Sequence, residues 1–340
     1  MEKLNWGILG SGQIAREMGT ALKAVNGEIY AVSSANFSHA KAYGEELGVR
    51  HVYQTTEELL ADPKVDIAYI ATPHNLHHKL ILQSLLAGKH VFCEKAITVN
   101  SRQLKECVKL ADEKGLALCD GVTLFHMPLY KKLKEIVASG AIGRVKMVQV
   151  NFGSCKEYDV KNRFFSKELA GGALLDIGVY AVSFARYFMS QKPDTVLTTA
   201  NYFETGVDET SGILLKNPDG EMAVIALTMR AKQPKRGVIA GEEGYIEIEN
   251  YPRADRAKIV YTKDGRTETV SAGDTNDALL YEAEDMQAYV AGIRARQKGC
   301  PDRCKNTDGS YETNLNYICD VMDTLSAIRN QWGMVYPFEA

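Results

Sequence analysis

The sequence lacks several features that would each assign it to a particular class of protein. Its 340 residues include only seven cysteines, and this odd, scattered set does not form a disulfide framework. No apolar run approaches the roughly 18 residues that a membrane-spanning helix needs. The N-terminus also lacks the basic and apolar segments of a secretory leader. These absences predict a cytoplasmic protein with reduced thiols and no membrane partner.

A strong charge of one sign is missing as well. The 40 Lys and Arg residues are balanced by 43 Asp and Glu residues, which gives a net charge of −3. Proteins that bind nucleic acid usually carry a basic excess, so we expect no nucleic-acid partner. A hydrophobic content of 45% with 24% charged residues excludes disorder as the main state. At roughly 150 residues per domain, the length favours two domains.

Strand-like and helical patterns alternate over the first 120 residues. Short apolar runs occupy residues 6–9, 29–33, 65–71, 90–93 and 116–119. Between them, the helical spacing of apolar residues covers 14–25, 39–47, 76–87 and 100–114. Strands that alternate with helices form a parallel sheet with helices on both of its faces. We therefore predict an α/β protein in which residues 1–121 form a doubly wound domain.

From about residue 121 the pattern changes to alternating apolar and polar residues. It predicts strands at residues 145–152, 196–203, 212–215, 222–229, 237–240, 245–248, 258–261 and 267–270. Helical patterns cover residues 128–139, 174–187, 280–296 and 311–331. Residues 122–340 are therefore expected to form an α+β domain with a large, mostly antiparallel open sheet, after a linker near residues 120–126.

The first strand is followed by a glycine-rich turn that opens the first helix. This turn, Gly10-Ser11-Gly12-Gln13-Ile14-Ala15, has the G-x-G-x-x-A form of the dinucleotide-binding fingerprint. The first glycine permits a tight turn, and the second lets the backbone approach a pyrophosphate. The helix N-terminus supplies N–H donors to the phosphates. We predict a Rossmann domain that binds a dinucleotide through Gly10, Ser11, Gly12, Gln13 and Ile14; an ordinary glycine turn is the alternative.

The acidic residue expected about 20 residues after this fingerprint is absent. The second strand ends instead at Ser33-Ser34-Ala35-Asn36, without a carboxylate for the ribose diol of NAD or an arginine for the 2′-phosphate of NADP. Ser34, Asn36 and His39 can hydrogen-bond a phosphate, although His39 also fits a solvated helix residue. The cofactor is therefore predicted to be NADP or NAD, with the preference undecided.

Ligands of open parallel sheets lie beyond the C-terminal ends of the strands. Two predicted strand ends carry polar segments, which are Thr72-Pro73-His74-Asn75-Leu76-His77 and Cys93-Glu94-Lys95-Ala96. A third segment, Gly-Gly-Ala-Leu-Leu-Asp-Ile-Gly-Val-Tyr at residues 171–180, belongs to the second domain. We expect no metal, although His74, His77 and Cys93 together offer zinc ligands. Cys300 and Cys304 lack a second ligand pair.

With these motifs the sequence resembles the glucose–fructose oxidoreductase/inositol dehydrogenase family over nearly the whole chain. The shared motifs are G-x-G-x-x-A at residues 10–15, T-P-x-x-x-H at 72–77, G-K-H-V-x-C-E-K at 88–95 and G-G-A-L-L-D-I-G-V-Y at 171–180. Within the family it is most similar to the branch of dimeric dihydrodiol dehydrogenases and NADP-linked D-xylose dehydrogenases. That branch carries tyrosine, here Tyr180, where inositol dehydrogenases carry histidine.

The resemblance implies hydride transfer between NAD(P) and a sugar, polyol or cyclic trans-diol. The catalytic residues that it implies are Lys95, Asp176 and Tyr180. Oxidation of an alcohol needs a base near the hydroxyl and a cation that stabilises the developing alkoxide. We expect Tyr180 to be the general acid/base, Lys95 to orient it and polarise the substrate oxygen, and Asp176 to orient the substrate or tune the other two.

The resemblance also implies where the cofactor and the substrate lie. Glu94 is expected on the nicotinamide ribose side, and adjacent strand residues point to opposite sides, so Lys95 faces substrate. The residues Thr72, Pro73, His74 and His77 are expected to line the dinucleotide and its nicotinamide. Arg163 precedes two phenylalanines and can meet substrate oxygens; a loop arginine with an aromatic anchor is the alternative.

Two departures from the family pattern limit what carries over. The proline that usually follows the catalytic lysine is Ala96 here. A cis bond before a residue other than proline costs about 3 kcal/mol, so we expect the Lys95–Ala96 bond to be trans. The branch also places arginines at the positions of Ala35 and His39, so its preference for NADP does not carry over.

The predicted sheet implies a homodimer or a higher homo-oligomer, because a large antiparallel sheet must cover its second face. Three other functions stay open. The chain can be a non-catalytic dinucleotide sensor, or an enzyme of the same family that reduces an imine or biliverdin-like substrate or catalyses a redox-neutral elimination. An S-adenosylmethionine-dependent transferase is a further alternative, but it leaves Glu94, Lys95, Asp176 and Tyr180 unexplained.

Overall fold

Six short strands and the helices between them form the first part of the structure. It is a computed structural model that describes residues 3–25, 27–298 and 309–339. The strands are β1 (Leu4–Leu9), β2 (Gly27–Ser33), β3 (His51–Tyr53), β4 (Ile67–Ile70), β5 (His90–Cys93) and β6 (Leu118–Asp120). The helices are α1 (Gln13–Leu22), α2 (Phe37–Leu47), α3 (Thr56–Ala61), α4 (His74–Leu86) and α5 (Ser101–Lys114).

All six strands pair in parallel, in the order β3-β2-β1-β4-β5-β6. The strand order reverses between β1 and β4, which is where a doubly wound sheet binds its ligand. The sequence prediction of this fold is confirmed. Strand β3 was not predicted, because three residues are too few to show a period. Helix α1 ends at Leu22 rather than at residue 25.

Apolar side chains that cover both faces of this sheet explain its position in the interior. Every residue of β4 is buried, and the Trp6 ring of β1 packs against Tyr69 and Phe92 at 6.5 and 6.2 Å between ring centroids. Helix α3 begins with a capping box, in which Thr55 accepts from the Glu58 N–H and the Glu58 side chain accepts from the Thr55 N–H.

The second part of the structure contains a larger sheet. After α6 (Pro128–Ala138), the strands are β7 (Val145–Gly153), β8 (Thr195–Tyr202), β9 (Asp208–Lys216), β10 (Met222–Thr228), β11 (Gln233–Gly241), β12 (Gly244–Glu249), β13 (Arg256–Tyr261) and β14 (Thr267–Ser271). Their order is β14-β13-β12-β11-β7-β10-β9-β8, with only β7 and β10 parallel within the described sheet. All eight predicted strands and the mostly antiparallel sheet are confirmed.

Helix α7 (Val179–Phe188) packs on one face of this sheet. The approach is so close that a Cβ on Gly237 of β11 would lie 2.3 Å from the Phe184 ring, which excludes a side chain there. The opposite face carries the exposed apolar residues Leu197, Val224 and Tyr245, with exposures of 60%, 42% and 38%. The sheet therefore has one covered face and one apolar face in contact with solvent.

The chain returns to the first sheet after β14. Helices α8 (Ala278–Gln297) and α9 (Ser310–Trp332) follow, and the stretch Leu279–Asn316 packs with the parallel sheet in the first of two compact units. The α8 residues Ala283, Met286 and Val290 belong to the same buried cluster as Trp6 and Tyr69. Conversely, Val99–Ser101 belongs to the second unit. A helical pattern does not specify which core it joins, so the division at residues 121 and 122 did not anticipate this return.

None of the helices in the described ranges is long and apolar enough to cross a membrane.

Candidate active site

The turn between β1 and α1 has the shape that the fingerprint requires. The Gly10 N–H donates to the Ser33 carbonyl at 2.9 Å, and its φ is +109°. A Cβ on Gly10 would lie 2.4 Å from the Ala71 carbonyl oxygen, so the turn requires glycine. Gly12 is the N-cap of α1, and nothing lies within 4 Å of where its Cβ would be. This open space at a helix N-terminus fits a cofactor diphosphate.

The other predicted residues of this turn differ in their surroundings. The Ser11 hydroxyl lies 3.1 Å from the Ser34 hydroxyl, which joins the glycine-rich turn to the end of β2. Gln13 is exposed and donates to Glu17 at 3.2 Å, whereas Ile14 packs against the core. Ser11 and Ser34 therefore lie together at the predicted cofactor site.

Asn36 and His39 lie at the start of α2. The Asn36 side chain is the N-cap of this helix and accepts from the Ser38 N–H at 2.9 Å, and His39 is exposed on the first turn. The helix N-terminus next to Ser34 is a position where a 2′-phosphate is stabilised. The choice between NADP and NAD stays a prediction.

Two buried polar atoms, one after β4 and one in the first turn of α4, have no hydrogen-bond partner among the described residues. They are the Thr72 hydroxyl oxygen and the Asn75 side-chain oxygen. Buried polar groups are nearly always hydrogen-bonded, so such atoms at a strand end indicate a ligand position. Pro73 is the N-cap of α4 between them. Sequence reasoning assigned no role to Asn75, because a single asparagine in the first turn of a helix carries no pattern.

Two histidines of α4 hold the backbone around Lys95. The His74 Nε2 atom lies 3.1 Å from the Lys95 carbonyl oxygen, and the His77 Nδ1 atom lies 2.9 Å from the Ala96 carbonyl oxygen. The other His77 nitrogen lies 2.8 Å from the Thr72 carbonyl oxygen, and the ring is fully buried. His77 therefore connects the loop after β4 to the loop after β5.

The Lys95–Ala96 peptide bond is cis, and the expectation of a trans bond was wrong. That expectation used the preference of an isolated peptide. Here the carbonyl oxygens on both sides of the bond contact His74 and His77, so tertiary contacts determine the backbone. The neighbouring His78 faces another way, with its Nε2 atom 3.0 Å from the Glu106 carboxylate.

Glu94 and Lys95 follow β5 and differ in burial. The Glu94 carboxylate is buried and accepts from the Tyr69 hydroxyl at 2.5 Å, while Lys95 is half-buried. Burial and the neighbouring Glu94 charge raise the pKa of Tyr69 well above its usual value, which keeps this hydroxyl a donor. A Cβ on Gly121 would lie 3.1 Å from the Glu94 carboxylate. Glu94 thus places a buried carboxylate directly after β5, and Lys95 beside it is partly exposed to solvent.

Asp176 belongs to the second unit, in a π-helical turn (Leu174–Gly178) that leads directly into α7. Its carboxylate is buried, with the Lys156 Nζ atom 3.7 Å from Oδ2 and the Arg163 Nη2 atom 3.8 Å from Oδ1. Both cations pack over the Phe164 ring, with Lys156 Nζ 3.5 Å and Arg163 Cζ 4.1 Å from its centroid. Lys156 was missed in the sequence, because it stands alone in a polar loop.

Tyr180 is half-buried in the first turn of α7, and its ring packs against Phe152 of β7 at 6.4 Å between centroids. The sequence predicted one continuous α-helix over residues 174–187, which would place Asp176 and Tyr180 on one face. The π-helical turn widens this spacing, and such turns are frequent at functional sites. The structure brings the predicted residues Arg163 and Asp176 together, and Tyr180 follows Asp176 along the chain at the start of α7.

Asp208 of β9 positions the start of this helix. The residue is fully buried, and its Oδ2 atom accepts from the Leu174 N–H at 2.7 Å. A Cβ on Gly172, which has a φ of +113°, would lie 2.1 Å from the Asp208 Oδ1 atom. The Tyr336 hydroxyl donates to the Gly171 carbonyl at 2.7 Å. A Cβ on Gly171 would lie 2.6 Å from the Phe164 carbonyl oxygen, so neighbouring protein groups leave no room for a side chain at either glycine.

Within the described residues, no group of three or more His, Cys, Asp or Glu side chains is placed to hold a metal ion. Cys300 and Cys304 lie outside the described residues. Lys95 and the predicted cofactor residues belong to the first compact unit, whereas Arg163, Asp176 and Tyr180 belong to the second.

Comparison with known proteins agrees with this geometry. Residues 4–122 match the oxidoreductase family with an NAD-binding Rossmann fold, and residues 130–247 match the GFO/IDH/MocA C-terminal domain. A trans-1,2-dihydrobenzene-1,2-diol dehydrogenase of Xenopus laevis is 32% identical over 300 residues, which cover 85% of this chain and 90% of that protein.

Two solved structures share the fold. A 3-ketoreductase from Actinomadura kijaniata, in complex with NADP and TDP-benzene, superposes with a TM-score of 0.81 at 22% identity, over 97% of this chain and 98% of that one. A levoglucosan dehydrogenase in complex with NADH and levoglucosan superposes with a TM-score of 0.81 at 20% identity, over 96% and 98%.

The two glycines of the β1–α1 turn are expected to respond differently to alanine. Gly10→Ala should lower the free energy of unfolding by about 2 kcal/mol or more, because the positive φ and the Ala71 carbonyl both oppose a side chain. Gly12→Ala should change stability by less than about 1 kcal/mol, because its space is open. It should nevertheless weaken NADPH or NADH binding at least about tenfold. Thermal unfolding measures the effect on stability, and a fluorescence titration measures the effect on cofactor binding. An unchanged cofactor affinity of Gly12→Ala would contradict the assignment of the β1–α1 turn to the cofactor diphosphate.

A second prediction concerns Asp208, whose pKa is raised to about 7 by burial, against an ordinary value of 3.8. The folded state thus binds a proton that the unfolded state has released, so this stabilisation is complete below pH 4 and disappears as the pH rises through about 7. The melting temperature should therefore fall less between pH 5 and 8 in Asp208→Asn than in the wild type. Exposed Asp264→Asn is the control, and equal pH slopes in all three proteins would contradict the prediction.

Proposed function

Because the chain belongs to the GFO/IDH/MocA oxidoreductase family, we propose that it is an NAD(P)-dependent dehydrogenase or reductase acting on a hydroxyl group of a sugar, polyol or cyclic trans-diol. The observation that carries this proposal is the open space over Gly12 at the N-terminus of α1. It is supported by Thr72, whose methyl carbon lies 3.5 Å from where a Gly10 Cβ would be and whose buried hydroxyl has no partner among the described residues. Both features suit a bound dinucleotide at the point where the parallel strand order reverses.

The residues that would hold the cofactor come from four segments of the first unit. They are Gly10, Ser11, Gly12, Gln13 and Ile14 for the diphosphate, Ser34, Asn36 and His39 for the adenosine ribose side, and Thr72, Pro73, His74, His77, Glu94 and Lys95 for the remainder. Bound NAD(P) supplies the hydride acceptor or donor. Asn75 joins this set because its side-chain oxygen is also buried without a partner among the described residues.

The chain itself handles the proton and the substrate oxygen. Tyr180 is the general acid/base, because a phenol can take and return the proton of the reacting hydroxyl. Lys95 orients Tyr180 and polarises the substrate oxygen, and its backbone is held in place through His74 and His77. Asp176 orients the substrate, and Arg163, which lies 3.8 Å from Asp176, contacts substrate oxygens.

The apolar face of the large sheet supports a homodimer. Leu197, Leu214 and Val224 lie opposite one another on neighbouring strands, and Leu197 and Val224 are exposed. An exposed apolar row on a sheet of this size marks a protein interface. We propose that a second copy of the chain covers this face, and that the protein works in the cytoplasm. The described cysteines form no disulfide, which suits a reducing compartment.

The activity is tested with Tyr180→Phe and Lys95→Met. Each should lower kcat/KM for the best alcohol substrate at least about 100-fold, because proton transfer loses its partner. Tyr180→Phe should bind NADPH or NADH as tightly as the wild type in a fluorescence titration. Exposed Tyr202→Phe and Lys263→Met are the matched controls. Full biological activity of Lys95→Met would instead support a non-catalytic dinucleotide sensor.

The same titration of the wild type compares NADPH with NADH. Tighter binding of NADPH would assign Ser34, Asn36 and His39 to the 2′-phosphate, and tighter binding of NADH would assign them to the ribose diol.

The dimer is tested with Val224→Lys, which places a charge in the middle of the apolar row. The wild type should sediment at about twice the chain mass of 37.6 kDa, and the variant should shift to the mass of one chain, because a buried unpaired charge disrupts an interface. Leu86→Lys, at a residue with 63% exposure on α4, is the control. A wild type that sediments as one chain, or a variant that stays dimeric, would rule out this interface.

A further inference from the structure

The candidate substrate residues of the second unit are surrounded by cations. Lys156 approaches one oxygen of Asp176 and Arg163 approaches the other, and both stack on the Phe164 ring. Both distances, 3.7 and 3.8 Å, are ion-pair contacts longer than a hydrogen bond. Arg230 donates to the Lys156 carbonyl at 3.1 Å, which brings a third cationic residue to the same loop.

A further cation lies on the Tyr180 side. The Lys235 Nζ atom of β11 is 4.9 Å from the centroid of the Phe152 ring, and that ring packs against Tyr180. Burial, followed by the charges of Lys232 and Arg253, lowers the pKa of Lys235. An anion bound beside Lys235 would offset the charges of Lys232 and Arg253.

Recognition of a neutral substrate does not require three cationic side chains near Asp176 and Tyr180. The hydroxyls of a sugar or a diol are recognised by neutral or single charged hydrogen-bonding groups, whereas here two cationic side chains approach Asp176 and a third packs on the Phe152 ring beside Tyr180. Arginine presents a planar fork of donors that matches a carboxylate or a phosphate, and lysine adds a point charge. Two basic groups at Asp176 and one beside Tyr180 thus provide the positive charge of an anion-binding site next to the predicted general acid/base Tyr180.

We propose that the substrate carries an anionic carboxylate or phosphate group in addition to the reacting hydroxyl, and that Lys156, Arg163 and Lys235 bind this group. The inference rests on the proposed function, because it takes Asp176 and Tyr180 as the residues that meet the substrate. It makes Lys156 and Lys235 determinants of specificity, beyond the residues of the reaction itself.

The experiment compares three sugars of one scaffold, D-glucose, D-glucuronate and D-glucose 6-phosphate, with the cofactor-loaded protein. Affinity by calorimetry and kcat/KM by cofactor absorbance are both measured. We expect at least one anionic sugar to bind at least tenfold more tightly than D-glucose, and the preference to shrink as KCl rises from 50 to 500 mM. Preference for D-glucuronate identifies a carboxylate, and preference for D-glucose 6-phosphate identifies a phosphate.

The variants Lys156→Met, Arg163→Met and Lys235→Met should each reduce the ratio of anionic to neutral affinity at least fivefold. Lys235→Arg, which keeps the charge, should restore most of this ratio, and exposed Lys263→Met should leave it unchanged. Melting temperatures show which variants remain folded. If the cations only hold Asp176 in place, the variants lower binding of all three sugars equally, and the ratio does not move.

The two proposals fail in different ways. Turnover of D-glucose with no preference for either anionic sugar overturns the anion site alone. Preferential binding of an anionic sugar that the enzyme never oxidises, and whose keto form it never reduces, overturns the proposed function and leaves the anion site standing. Binding of neither anionic sugar, or the same affinity for all three, overturns the inference.

Discussion

The close approach of the ends of β1 and β4 is the constraint on which the first unit depends. The Ala71 carbonyl occupies the space where a Gly10 side chain would be, so only glycine lets both strands end at this point. The loop that leads from β4 into α4 begins there, and His74 and His77 of α4 contact the carbonyls of Lys95 and Ala96. One backbone contact thus determines where the glycine-rich turn for the cofactor diphosphate lies and how the Lys95 backbone is held.

A buried carboxyl group has the corresponding effect in the second unit. Asp208 occupies the space beside Gly172 and accepts from the Leu174 N–H, so the helix that carries Asp176 and Tyr180 starts at a defined residue. A neutral Asp208 satisfies this arrangement without a buried charge, in agreement with its raised pKa. Asp208 therefore holds the start of the segment that carries Asp176 and Tyr180, and this role needs no contact with substrate.

The sequence predicted what depends on periodicity and on backbone shape. All eight strands of the large sheet and the glycine-rich turn follow from local patterns, because alternation and the demand for glycine act within a few residues. The return of α8 to the first core was not predictable, because its apolar face is compatible with either core. The cis bond at Lys95 and the burial of the Asn75 side-chain oxygen depend on packing against other segments, which leaves no local pattern.

The same distinction explains why the class of reaction was readable and the substrate was not. A dinucleotide is bound largely through backbone groups at a helix N-terminus, and the required glycines leave a motif in the sequence. The cations around Asp176 and Tyr180 come instead from the loop after β7, from the segment before the π-helical turn and from β11. Lys156 and Lys235 are 79 residues apart (235 − 156), and no spacing relates them. Because the proposed substrate site uses side chains that only the folded sheet brings together, its preference for an anionic group is proposed from the structure and not from the sequence.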